Sequence, residues 1–302
     1  MSGTHCGKKS KNLTPSCFFR WTPMPPPVVI PLPPPPPPIP ISAFNTASGT
    51  TTPGAAYTSL TFALVGGGGA GVGGGGGTGG VIVYGTVPIN GADPITWNLG
   101  LGSTGTIAAT PSTLTYTGPG GTTLVTANGG NDSPGDSVNA AGASSQSVAP
   151  GLNYIMLGGG GGAYASIIFG EAFIGEGTSG TSLGPHSEDA AAGTVTGTNT
   201  YTVTSGNGAG QSLLPAELLA LLPVNPPIGG SGISLQRFIP PNVSVAGGGG
   251  AGLGDGGNGG YSLNAAPQQA STPGVYGGGG AGSVATGVSV NGGDGAFVYV
   301  IS

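Results

Sequence analysis

The chain has 302 residues, of which 67 are glycine and 29 proline, and only 5% are charged, with a formal net charge of −5. Glycine and proline at this level normally signal low complexity, but the apolar fraction of 37% and the low charge exclude a solvated disordered chain. Charge is also unevenly placed. Lys8, Lys9, Lys11 and Arg20 stand at the start, whereas all ten acidic residues lie from Asp93 onward, where Arg237 is the one cation. Such a body repels nucleic acid, whose binding needs lysine and arginine against phosphate.

Residues 1–42 form an arm. They hold thirteen prolines and two glycines, and the composition changes sharply near Ser42–Phe44. No apolar run follows the early lysines to make a secretory signal, and no run of 18 or more apolar residues occurs, so membrane insertion by a helix is not expected. Cys6 and Cys17 are the only cysteines; they leave the body independent of disulfides and their pairing open. Thr22–Ile41 is expected to be polyproline II, because each proline fixes φ and each residue before a proline is pushed to an extended conformation. At about 3.1 Å per residue it would reach about 60 Å. One reading is a stiff spacer or a ligand for SH3, WW or profilin-like domains. The favoured reading is an anchor, in which Phe18, Phe19 and Trp21 plug into a partner groove, helped by Val28, Val29, Ile30 and Leu32.

Residues 43–302 form the body, expected to be all-β. Alternation predicts strands at Tyr57–Val65, Val81–Val87, Pro94–Gly100, Leu114–Thr117, Thr122–Ala127, Tyr154–Leu157, Tyr164–Phe169, Thr200–Thr204, Ile233–Ile239 and Phe297–Ile301. In the first, Leu60, Phe62 and Leu64 share one face; in the third, Ile95, Trp97 and Leu99 do. One helix is expected at Leu213–Leu222, apolar nearly all round and ended by Pro223, hence buried or covered by a partner.

Between the strands stand glycine runs: LVGGGGAGVGGGGG, MLGGGGGAYAS, VAGGGGAGLGDGGNGG and VYGGGGAGS. Ordering a residue costs about 1–2 kcal/mol of backbone entropy, and glycine has no side chain to offset it. The compensation has to come from backbone contact, which the missing Cβ permits. Packed polyproline II segments joined by N–H···O and Cα–H···O bonds are therefore favoured over loose linkers. The residues expected to pack in this way are Gly66, Gly67, Gly68 and Gly69, then Gly158, Gly159 and Gly160, Gly247, Gly248 and Gly249, and Gly277, Gly278 and Gly279.

Catalytic and cofactor motifs are not convincing. The many G-x-G-x-x-G matches, as from Gly71, come from composition and lack a strand–helix unit with a following acidic residue. GTHCGKKS has the wrong spacing for a phosphate loop. GGAGLGD at Gly249–Asp255 misplaces the aspartate of a calcium nonapeptide, and GGDG around Asp294 reads as a turn. His186 lies beside Ser187, Glu188 and Asp189, but sequence neighbours do not make a triad. No cofactor and no enzymatic activity are expected.

The order TSLTFALVGGGGAG, TVPINGADPITW (Thr86–Trp97), LVTANGG (Leu124–Gly130) and GGDGAFVYVIS resembles the glycine-rich domain of virion surface proteins, found in tailed-phage fibres and large DNA viruses. It spans about Tyr57 to Ser302, with 133–150 and 171–241 matching poorly. The resemblance implies a β-sandwich-like, glycine-stiffened virion component at the particle surface or capsid, oligomeric, with a trimer favoured. Its partners would be other virion proteins through residues 1–42 and a host receptor. The alternative is an adaptor or wall-type protein whose polyproline arm recruits SH3, WW or profilin-like domains.

Overall fold

A computed structural model describes residues 36–135, 138–142, 146–168, 171–183, 190–198, 200–210, 213–238, 242–285 and 288–302. The anchor residues Phe18, Phe19, Trp21, Val28, Val29, Ile30 and Leu32, both cysteines and His186 lie outside them. The fold is all-β, and its sheets are antiparallel throughout.

The first sheet has five strands in the spatial order Ile41–Asn45, Ala296–Ile301, Ser59–Val65, Ile82–Pro88 and Leu152–Ile155. Its first strand begins just ahead of the compositional break, with Ile41 opposite Ile301. The second sheet runs Gly49–Thr51, Ile95–Asn98, Ser112–Gly118 and Gly121–Ala127. Both sheets feed one core: Leu60, Phe62 and Leu64 from the first meet Ile95, Trp97, Leu114 and Tyr116 from the second. Phe297 sits at its centre, with ring centroids 5.2 Å from both Trp97 and Tyr299 and 6.4 Å from Phe62. The Trp97 indole is satisfied by donating to the Ala47 carbonyl at 2.8 Å.

The period-2 side chains of Ser59–Val65 explain a sequence that alternates imperfectly. Leu60, Phe62 and Leu64 enter the shared core, while Ala63 and Val65 face a second apolar cluster on the sheet's other side. Leu214, Leu218 and Leu222 cover that side. The helix there is shorter than the sequence suggests, Ala216–Leu219. Pro215 stands at its start, and beyond it Leu221 and Leu222 donate three residues back, to Leu218 and Leu219, rather than four. This segment is covered within the chain.

A third sheet, Glu171–Glu176, Ala163–Ile168, Val243–Val245, Tyr261–Leu263 and Ala266–Gln269, shares a smaller core with a fourth, Thr194–Thr196, Thr200–Thr204 and Ser234–Phe238. Ala163, Ala165, Val195, Val203, Val243 and Val245 fill it. Gly71–Val72 pairs with Ser289–Val290 as a short ribbon. The glycine runs connect these parts. Leu152–Ile155 of the first sheet, for example, leads through Gly158–Gly162 into Ala163–Ile168 of the third.

Candidate functional site

The glycine runs form the most distinctive construction in the chain. Their backbone bonding repeats every three residues, which no β-strand can do, because strand groups point alternately to two sides. In the run ending at Val81, Gly77 and Gly80 donate to Gly280 and Gly277, at 2.9 and 2.7 Å. Thr78 and Val81 donate to Asn131 and Asn128, at 3.1 and 3.0 Å. Gly76 and Gly79 donate to Gly160 and Leu157, at 3.0 and 2.9 Å. Three successive N–H groups thus meet three different antiparallel neighbours, and the fourth returns to the first. The same run also accepts from other segments, from Gly66 and Gly69 on Val81 and Thr78, and from Gly247 and Gly250 on Gly74 and Gly77. The last pair runs parallel. Three residues per turn is the repeat of polyproline II.

A second segment obeys the same rule. Gly248 and Ala251 donate to Gly206 and Ala209, Gly249 and Gly252 to Gly257 and Gly254, and Gly247 and Gly250 to Gly74 and Gly77. Glycine is required because the neighbours are backbone. A Cβ on Gly66, Gly67, Gly69, Gly158, Gly159, Gly160, Gly247, Gly249 or Gly279 would sit inside a carbonyl of the adjoining segment. Gly68 would meet Gly278, and Gly248 would meet Gly230. Gly278 would meet the Asp255 carbonyl, and it and Gly277 also build a turn. Gly277 has φ +80° beside Tyr276 at φ 46°, and Gly278 N–H closes a turn on Val275 at 2.8 Å, so this run enters the lattice through a tight reversal.

Alanine fits at one place in the motif GGGGAG. Ala70, Ala251 and Ala281 are all fully buried, and Ala251 reaches the apolar cluster beside Leu253, Leu157 and Ala209. At the lattice rim, short polar side chains stand in for the missing neighbour. Asp132 Oδ1 accepts from Ala70 N–H at 2.7 Å, Asp294 Oδ1 from Gly102 at 2.8 Å, and Asp255 Oδ1 from Ile228 at 2.8 Å. Asn207 and Asn258 do the same for Gly232 and Ser231, at 2.7 and 2.8 Å. Asp294 is thus more than the turn residue that GGDG suggests, and Asp255 bridges backbone where the calcium motif fails. The signal was there in the GDG and GNG triplets, which place one acceptor among residues that can only supply backbone.

Ser112 is the most deeply placed of these bridges. Its hydroxyl accepts from Gly100 N–H at 2.8 Å and donates to the Val65 carbonyl at 2.7 Å, with the residue fully buried. Ser112→Ala leaves both groups short of a partner, and a loss of about 1–3 kcal/mol is expected in a chemical denaturation series. Ser112→Thr retains the hydroxyl and tests whether loss of the bridge, rather than of shape, is responsible.

Burial pushes the phenols of Tyr84 and Tyr299 above their ordinary 10.0, and a Thr51 hydrogen bond partly offsets this at Tyr299. The unfolded chain therefore releases these protons first as pH rises. Their contribution to stability is complete below pH 10.0 and is lost above it. Melting temperature should fall in that alkaline window, and the fall should be shallower in Tyr84→Phe.

Among the described residues no cluster of three or more His, Cys, Asp or Glu side chains forms a metal site, and no helix is long and apolar enough to cross a membrane. No protein-family model matches the chain, and no curated protein matches it.

Proposed function

We propose that this chain is a non-enzymatic structural protein of a virus particle, a minor capsid, spike or fibre component. Residues 1–42 anchor it among other virion proteins, and the glycine-rich body makes a stiff module at the particle surface where a host receptor can be met. The observation that supports this reading best is the three-directional backbone bonding around Gly76–Val81. A block bonded to neighbours on every side resists bending in all directions, has no charged side chain in its Gly76–Val81 thread, and leaves the connecting loops free to vary. Those are properties of a display scaffold rather than of a catalyst. The body assembles with copies of itself, with a trimer favoured, and engages neither nucleic acid nor a membrane.

The test is fractionation of virus particles from the material that carries this sequence, using antibodies raised against the full chain. The chain should co-sediment with intact particles at fixed stoichiometry. In the particle, trypsin should fail to cut after Lys8, Lys9, Lys11 and Arg20, while the free chain is cut there. Recovery only in cytoskeletal or wall fractions, with the full chain capturing profilin or SH3 domains, would overturn the proposal in favour of an adaptor.

A further inference from the structure

The strand Ala163–Ile168 carries an aromatic surface that the scaffold reading does not use. Its inward residues Ala163 and Ala165 enter the core shared with the fourth sheet. Tyr164 and Ser166 therefore face outward, since successive side chains alternate. Tyr164 pairs with Gly175 on one side and Ser244 on the other, and Ser166 pairs with Phe173. Gly175 is the reason the tyrosine lies as it does. A Cβ there would fall among ring atoms Cδ1, Cε1 and Cζ of Tyr164, so the ring is laid over bare backbone. It remains 40% exposed, and Phe173, on the same outer face one diagonal away, is 44% exposed. Diagonal partners on a sheet lie about 7–8 Å apart, within reach of one elongated ligand.

Tyr164 also forms one side of a cleft of about 630 Å³ whose lining draws on both faces of the sheet: Ser244, opposite Tyr164, from the outer face, and Glu176, opposite Ala163, from the inner one, with Asn139 and Ser283 beside them. That volume suits a small ligand held by a few fixed polar groups. Two of those groups are fixed. Glu176 Oε1 accepts from Val195 N–H at 2.8 Å, and Asn139 Oδ1 accepts from the N–H and hydroxyl of Thr178 at 2.9 and 3.0 Å. Among the described residues no lysine, arginine or histidine lines the cleft, so an anionic ligand would meet a carboxylate with none of them to neutralise it.

From these features we infer that the cleft beside Tyr164 binds a neutral saccharide. A pyranose has an apolar C–H face that stacks on an exposed ring backed by glycine, and hydroxyls that donate to a held carboxylate. Tyr164 is the platform, Ser244 the polar partner on its own face, Glu176 an acceptor reaching the same cleft from the opposite face of the sheet, and Phe173 the second platform for an adjoining sugar. This goes beyond the scaffold reading and does not depend on it, because each residue invoked belongs to one chain.

The full chain is applied to an array of immobilised neutral hexose and N-acetylhexosamine oligosaccharides, with sialylated and sulfated ones as comparators, and the strongest neutral binder is then titrated. Binding to neutral oligosaccharides is expected, weakened about tenfold or more by Tyr164→Ala and little changed by Tyr164→Phe, which keeps the ring. Glu176→Gln should weaken it several-fold while leaving the melting temperature unchanged, because an amide oxygen still accepts from Val195. Should Tyr164→Ala fail to fold, Phe173→Ala and Glu176→Gln decide. The proposal fails if no neutral oligosaccharide binds, if only anionic ones do, or if folded variants bind like the parent. A chain that binds no saccharide can still sediment with particles, so the two proposals fail separately.

Discussion

Gly248→Ala should prevent the body from folding, or lower its stability by about 3 kcal/mol or more, at the upper end of what overpacking costs. Gly248 donates to Gly206 at 3.0 Å and accepts from Gly160 at 2.6 Å, and an added Cβ would run into the carbonyl of Gly230. In an ordinary core a new methyl is accommodated when side chains change rotamer. Here the three groups around it are backbone, each bonded onward to another segment, so relief at one contact strains the next. The matched control is Gly120→Ala in the turn between Ser112–Gly118 and Gly121–Ala127. A Cβ on Gly120 meets nothing within 4 Å, and the change should stay within about 0.5 kcal/mol. Thermal melting of the two variants gives the answer. Equal melting temperatures would mean that the lattice yields, and its claimed stiffness would fall with that result.

The second large effect is expected at Phe297→Ala, a loss of about 3–5 kcal/mol. Phe297 is fully buried and contacts three other rings. Its strand, Ala296–Ile301, lies between Ile41–Asn45 and Ser59–Val65, so the cavity opens under a strand paired on both sides. For a domain of this size the melting temperature should fall by roughly 6–20 °C. Leu124→Ala, at an exposed position on Gly121–Ala127, should shift it little. A small effect at Phe297 would mean that the lattice, rather than the aromatic core, carries most of the stability.

The strands that bury side chains were the legible part of this fold. Leu60, Phe62 and Leu64, or Ile95 and Trp97, alternate because one face is dry, and the structure pairs them within a residue or two of the expected bounds. Thr200–Thr204 falls where alternation puts it. Strands such as Ala266–Gln269, exposed along its length, and Val243–Val245, only three residues long, present too little pattern to find. The helix is shorter than its leucine run suggests, because that run is apolar on every side while the hydrogen bonds tighten after Leu219. Least legible was which glycine run touches which. A glycine carries no side chain to name its neighbour, so neither the bond from Gly77 to Gly280 nor the parallel course of Gly247–Gly250 beside Gly74–Gly77 is written in their own residues. The roles of Asp132, Asp255 and Asp294 are hidden in the sequence for a related reason: each is set by an N–H far along the chain.

A thread with a three-residue screw can slide along its axis by three residues and offer the same donors to the same neighbours. For a run of pure glycine, every such position would be nearly equal in energy, and the chain would freeze into many misaligned forms. Ala251 breaks that degeneracy. Moved back by three it would occupy the place of Gly248, where the Gly230 carbonyl leaves no room for a methyl, and it would also abandon the apolar cluster it now fills. Ala70 and Ala281, in the same place of the same motif, are buried in the same way. The single methyl in GGGGAG works as an alignment mark, and so few marks are needed because each one forbids a whole thread from sliding.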